Sequence, residues 1–237
     1  MVGVVLTLVV AGPALAGFPT AALGAIVVYA ALRLVEVGEF RRIARFRYSE
    51  LVLAVLTTVA VLGLGVLYGV LAAVALSIVD LLRKLAHPHD GILGHVPNVA
   101  GMHDIDDYPD ARPVPGLVVY RYDAPLCFAN AEDFRRRALE SLSSATDRTE
   151  WFLLNAEANV ELDVSGADAL EQLRQELHQR GIVFAIARVK QDLRDQLTAA
   201  GLVDRIGADR IFLTLPTAIE AYRHASGFGG AGGVVAG

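Results

Sequence analysis

The stretch LVLAVLTTVAVLGLGVLYGVLAAVALSIVDLL, residues 51–82, is apolar apart from small polar residues and Asp80. As one straight helix it would run about 48 Å, against an apolar bilayer layer of roughly 30 Å. Gly63, Gly65 and Gly69 cluster at its middle. Arg83 and Lys84 follow its end, and Arg41, Arg42, Arg45 and Arg47 precede its start. Basic residues on both flanks put both ends on the cytoplasmic side, so the stretch has to turn back on itself. We read two short helices, Leu51–Leu62 and Val66–Leu82, with a glycine-rich turn between them. The first is too short to span alone; such helices are tolerated at membrane depth where other protein surrounds them.

Two further apolar segments lie upstream. Val2–Gly17 is almost entirely apolar, with Pro13 inside it as a kink point. Thr20–Val35 is the second. Met1–Leu15 contains no Lys or Arg, so the basic n-region of a signal peptide is missing. We read membrane helices here, which makes four segments with both termini in the cytoplasm. Between the second and third, Phe40, Ile43 and Phe46 recur at helical spacing among the arginines. That pattern suits a short helix lying in the membrane interface and equally a plain basic loop.

Composition agrees with a chain that is part membrane and part soluble. Hydrophobic residues make up 54% and mean hydropathy is +0.46, above an ordinary soluble domain. The excess ends near Leu82. A net charge of -5 and the absence of a basic stripe with interleaved aromatics argue against nucleic acid as a partner. Cys127 is the single cysteine, which excludes an intrachain disulfide and a cysteine-based zinc site. There is no Walker loop, no GxGxxG after a strand, and no Ser-His-Asp or Cys-His set. No catalytic residue and no cofactor is assigned, and the chain is not read as an enzyme.

We divide the chain into membrane segments at 1–84, a linker at 85–115, a soluble domain at 116–226 and a disordered glycine-rich tail at 227–237. His87–Pro115 is rich in Pro, Gly, His and Asp and reads as a connection with little regular structure. His87, His89, Asp90, His95 and His103 match no standard ligand spacing, and no metal is assigned. In the soluble half, Leu117–Tyr122 and Pro125–Asn130 are expected to pair as a hairpin. Further strands are expected at Trp151–Ala156, Ile182–Ala187 and Ile211–Thr214. Helices are expected at Ala131–Leu142, Asp163–Arg180, Gln191–Ala200 and Pro216–His224. The result is an α/β fold, a mixed sheet flanked by helices. Leu154, Ile182, Phe184 and Ile186 are core candidates, with Cys127 packed among them as a small apolar residue.

The run Ala124-Pro125-Leu126-Cys127-Phe128-Ala129-Asn130-Ala131-Glu132 resembles the opening hairpin of the tail domain of sulfate permease (SulP) family anion transporters. Asp163-Val164-Ser165-Gly166, followed by Ala169 and Leu170, is similar to that domain's central loop-helix junction. Gly201-Leu202 and Ile206-Gly207 resemble its later loops, and Ser49-Glu50-Leu51 and Leu93-Gly94 resemble the transporter upstream. The tail is the STAS domain, shared with bacterial anti-sigma factor antagonists.

The resemblance implies an integral transporter of the cell membrane with fourteen segments in two inverted repeats, of which this chain holds the last four. It implies an anion, sulfate first, bound between two half-helices whose N-termini attract it. Those half-helices fall in upstream segments, so no substrate-binding residue is assigned. The runner-up is a membrane-tethered STAS module that binds a partner and transports nothing. Implied partners are the lipid bilayer, the upstream segments, an inorganic anion, a second copy in a homodimer, and a cytoplasmic protein or nucleotide at the STAS domain. The regulatory or interaction loop is Asp163, Val164, Ser165 and Gly166. In the anti-sigma antagonists a phosphorylated serine directly follows the loop aspartate. Here that position is Val164, and Ser165, one place later, is read as the helix N-cap.

Overall fold

The computed structural model describes residues 20–34, 37–46, 48–143 and 148–227. The segment expected over Val2–Gly17 and residues 228–237 of the expected tail lie outside them. The chain divides into two compact units, Met1–Ile78 and Val79–Gly237.

The first unit is helical. Helices α1 (Thr20–Leu34), α2 (Val37–Phe46) and α3 (Tyr48–Leu64) precede α4 (Val66–Ala86), whose last turns belong to the second unit. Between α1 and α3 the arginine-rich stretch is helical, not a loop. Alanine, leucine and valine side chains cover α3 and α4, and most of them are exposed. Apolar surface of this kind is stable only against lipid or other protein. The 21 residues of α4 cover about 31 Å; among the described residues it is the one helix long and apolar enough to cross a bilayer. The shorter α1 and α3 have 15 and 17 residues.

Gly65 separates α3 from α4 with φ at +87°, a left-handed conformation that glycine adopts without steric cost. The bend brings Gly69 onto Val61, where an added Cβ would overlap the valine main chain. Glu50 sits in the first turn of α3, and Arg83 and Lys84 in the last turn of α4, each complementing its helix dipole.

The second unit is a six-stranded mixed sheet with helices on both faces. Its strands are β1 (Asp90–His95), β2 (Met102–Asp104), β3 (Leu117–Tyr122), β4 (Trp151–Asn155), β5 (Val183–Ala187) and β6 (Ile211–Phe212), in the order β2-β1-β3-β4-β5-β6. The first two pairings, β1 with β2 and β1 with β3, are antiparallel. From β3 to β6 every pairing is parallel. The helices are α5 (Ala131–Ser143), α6 (Val164–Gln179), α7 (Gln191–Ala199), α8 (Leu202–Ile206) and α9 (Leu215–Ala225).

Alternate side chains of each central strand serve different cores. Val118, Tyr120, Phe152, Leu154, Phe184 and Ile186 pack with α5 to α8. Val119, Leu153 and Ala185 pack with Leu215, Ala218 and Tyr222 of α9. Leu154, Ile182, Phe184 and Ile186 are all buried. Cys127 is not among them; it is half-buried in the loop before α5.

Three expectations are corrected here. The linker is not irregular, because β1 and β2 both come from it. Its glycines are close-approach positions and not loop signals: a Cβ on Gly91 would overlap the Asp104 carboxylate, and one on Gly94 would lie 2.9 Å from the Arg112 backbone. Pro125–Asn130 is not a strand and forms no hairpin with β3. The buried Asn159 amide donates to the carbonyls of Tyr122 and Ala124, and Leu126 instead runs beside 161–163 through a single parallel bridge to Leu162. Finally, β6 ends at Phe212, because the Thr214 hydroxyl accepts from the Thr217 N–H and caps α9.

Gly166 lies where α6 crosses that loop. A Cβ there would stand 2.5 Å from the Leu126 carbonyl oxygen. Gly166→Ala should therefore destabilise the sheet unit by about 1–3 kcal/mol, although alanine is the better helix former. Denaturant unfolding of the full chain, followed through Trp151 fluorescence, measures the loss.

Candidate functional site

Parallel strands point their carboxyl ends to one edge of a sheet, and loops at that edge are where α/β folds place their binding surfaces. In this chain the loops after β3 and β4 meet there. Asp163 joins them. Its backbone is extended (φ −88°, ψ 179°), as an N-cap requires. Its Oδ1 accepts from the Gly166 N–H at 2.8 Å, and its Oδ2 accepts from the Phe128 N–H at 2.7 Å. One carboxylate thus starts α6 and pins the neighbouring loop.

Two large apolar side chains stand on this ledge. Phe128 is 75% exposed and Val164 is 79% exposed. Neither contributes to a core, and such exposure on a rigid support suits contact with another molecule. Beside Val164, a groove of about 420 Å³ is lined by Asp163, Val164, Asp168, Glu171, Gln196 and Arg205. Hydrogen bonds from Arg174 hold the Glu171 carboxyl below its ordinary range, against the opposing effect of partial burial. The Gln196 amide oxygen accepts from the Leu162 N–H at 2.7 Å and ties the groove to the ledge.

The residues expected at this loop take unequal parts. Asp163 caps, Gly166 permits the close crossing, and Val164 is presented to solvent. Ser165 is half-buried and does not cap α6; the aspartate already holds that place, with a charge that the helix dipole favours.

Two contributors were not picked out from sequence. Phe128 lies in the run Pro125–Asn130, whose apolar pattern suggests a strand. Asn130 is 1% exposed and organises the whole β3–α5 loop. Its Oδ1 accepts from the Cys127 N–H at 2.9 Å, and its Nδ2 donates to the Pro125 carbonyl at 2.9 Å and the Leu85 carbonyl at 3.1 Å. Leu85 lies in the last turn of α4, where carbonyls have no intrahelical partner. The loop that carries Phe128 is therefore bonded at one end to Asp163 and at the other to the final apolar helix.

A second, partly buried network fastens α5 to the sheet. The Tyr120 hydroxyl donates to Asp90 and the Tyr122 hydroxyl to Asp133, while Arg137 pairs with both carboxylates. Burial, and then the adjacent carboxylate, pushes both phenols above their usual ionisation range. The histidines do not converge: His89 reaches Asp104 at 3.3 Å and His103 the Ala100 carbonyl at 3.1 Å. Among the described residues no group of three or more metal-binding side chains forms.

Comparison with known proteins bears on both units. The STAS domain family model matches residues 108–218, and the sulfate permease family model matches residues 1–57. The chain belongs to the sulfate permease family. It is 70% identical over 220 residues to a probable sulfate transporter of Mycobacterium tuberculosis (strain H37Rv), covering 93% of this chain and 39% of that protein. Sulfate transporter 1.3 of Arabidopsis thaliana is 28% identical over 226 residues, 92% of this chain and 34% of the relative. This sulfate permease family chain therefore spans well under half the length of these relatives. The murine Slc26a9 anion transporter, in its inward-facing state, shares the fold with a TM-score of 0.74 at 19% identity, over 87% of this chain and 34% of that one.

Asp163→Ala removes the acceptor of two N–H groups and should cost about 0.5–2 kcal/mol, with faster hydrogen exchange at the Phe128 amide. Ser165→Ala should leave the unfolding midpoint nearly unchanged. Asn130→Ala should cost about 1–3 kcal/mol for the buried groups it leaves unpaired, with faster exchange at Cys127. Trp151 fluorescence and amide exchange on the full chain check all three.

Proposed function

We propose that this chain is the carboxyl-terminal part of a secondary anion transporter with sulfate as its substrate, and that its STAS unit regulates transport through a bound partner. The observation that carries the reading is the 70% identity to a probable sulfate transporter, which runs through both units and 93% of the chain. The anion site then lies in the part of the relatives that this chain does not span. In this reading the STAS unit and the arginines around α2 face the cytoplasm of a cell-membrane protein. The arginines at both ends of the α3–α4 stretch support that side. The Phe128–Val164 ledge is the docking surface for a cytoplasmic protein or nucleotide. It works without phosphate at position 164, because valine has no oxygen to carry one.

Cells lacking the coding sequence for this chain should lose saturable uptake of radiolabelled sulfate and recover it when the chain is restored. Unchanged uptake would overturn the assignment. Orientation is tested separately with Arg45→Cys and His103→Cys in a Cys127→Ser background. In intact cells an impermeant thiol reagent should label neither. Mass spectrometry of protein from its own cells should find no stoichiometric phosphate on Ser165.

A further inference from the structure

Helix α2 separates two apolar helices and carries its charges in a fixed pattern. Gly38, Arg41, Arg42 and Arg45 stand at helical intervals of three, four and seven, so they share one face. All four are exposed, and together they line a recess. Gly38 has no side chain, and nothing lies within 4 Å of where its Cβ would be. The recess is therefore a gap in the arginine stripe beside the first turn of α2, where main-chain N–H groups have no intrahelical partner. At the same 3.6-residue period, positions 40 and 43 fall on the opposite side of the helix.

The flanking elements determine where this stripe lies. In α1, Leu23, Ile26, Val27 and Leu32 are exposed, and in α3 Val52, Val55, Leu56 and Val59 are exposed. If these helices enter lipid, α2 is held at the level of the headgroups. Tyr29 and Tyr48 are exposed near the two joins, as aromatic side chains at a membrane interface are. Arg33 stacks over the Tyr29 ring at 5.7 Å, adding a cation at the end of α1.

We propose that the Gly38–Arg41–Arg42–Arg45 face binds the phosphate of an anionic phospholipid headgroup. The phosphate sits over Gly38, and the arginines donate to its oxygens. Guanidinium groups donate in a planar fork that matches phosphate oxygens, and a lysine ammonium does not. A free anion meets only one side of this recess, whereas a headgroup is presented to it by the same bilayer that holds α1 and α3. The inference rests on the membrane reading of the first unit.

The test reconstitutes the full chain into nanodiscs of phosphatidylcholine mixed with fluorescent phosphatidylglycerol, with energy transfer from a dye on Tyr48→Cys, in a Cys127→Ser background, as the readout of lipid enrichment beside α2. The native chain should enrich phosphatidylglycerol over a phosphatidylcholine probe. Arg41→Gln and Arg45→Gln should each reduce that enrichment about fivefold, the factor that corresponds to about 1 kcal/mol per basic residue at an anionic surface. Arg41→Lys with Arg45→Lys should recover part of it. Inorganic phosphate at matched ionic strength should not compete. No preference for phosphatidylglycerol, enrichment unaffected by the glutamine variants, or displacement by inorganic phosphate would each overturn the proposal. Retention of the chain in membranes after alkaline washing separates its failure from that of the membrane reading. If the chain washes out, both fall; if it stays without enrichment, only the headgroup site does.

Discussion

A strand covered on both faces has little room for a charge, and β3, β4 and β5 are in that position; the one charge among them, Arg121 near the end of β3, is paired with Asp104 and Asp123. Helices α5 to α8 lie on one side of these strands and α9 on the other. Their sequences are accordingly near-continuous apolar runs, LVVYRY, WFLLN and VFAIA, as parallel strands in a two-layered cover require. Because parallel strands all end at one edge, the loops after β3 and β4 are brought together. The ledge of Phe128 and Val164 is a consequence of that geometry, with one carboxylate, Asp163, fastening the two loops.

A different constraint shapes the first unit. In lipid, main-chain N–H and C=O groups have no water to bond, so the chain stays helical or hides its irregular backbone. The α3–α4 stretch meets this with one non-helical residue, Gly65, across which hydrogen bonding continues: its N–H donates to the Val61 carbonyl and its carbonyl accepts from the Gly69 N–H. The last carbonyls of α4 have no intrahelical partner. One of them, on Leu85, is taken up by Asn130. The contact bonds the loop under Phe128 directly to the last turn of α4.

Much of this was legible in the sequence, and the misses have identifiable causes. The central strands and the helices α5, α6, α7 and α9 follow from apolar runs and helical spacing. The glycine at position 181, with φ at +72°, ends α6 as its place after the last periodic leucine suggests. The linker strands were missed because Gly91 and Gly94 look like turn residues. Both are glycine because another part of the chain passes too close for a Cβ, and a local pattern does not report that. The run Pro125–Asn130 is apolar enough to be a strand, but both edges of β3 are already taken, by β1 and β4, and the Tyr122 and Ala124 carbonyls just beyond accept from the distant Asn159 amide.

The sequence by itself determined the division into an apolar helical part and an α/β part, the helix break at the central glycines, and the lack of a hydroxyl at position 164. These follow from composition and periodicity, which act over a few neighbouring residues. Only the tertiary structure decided which residue caps α6, what Asn130 bonds, and that Phe128 and Val164 share a surface. Asp163 and Ser165 are both good capping residues, and the choice between them depends on the Phe128 N–H, thirty-five positions earlier, which Asp163 alone reaches with its second oxygen. Hydrogen bonds between distant loops are set by how the strands pack, and no local preference encodes them.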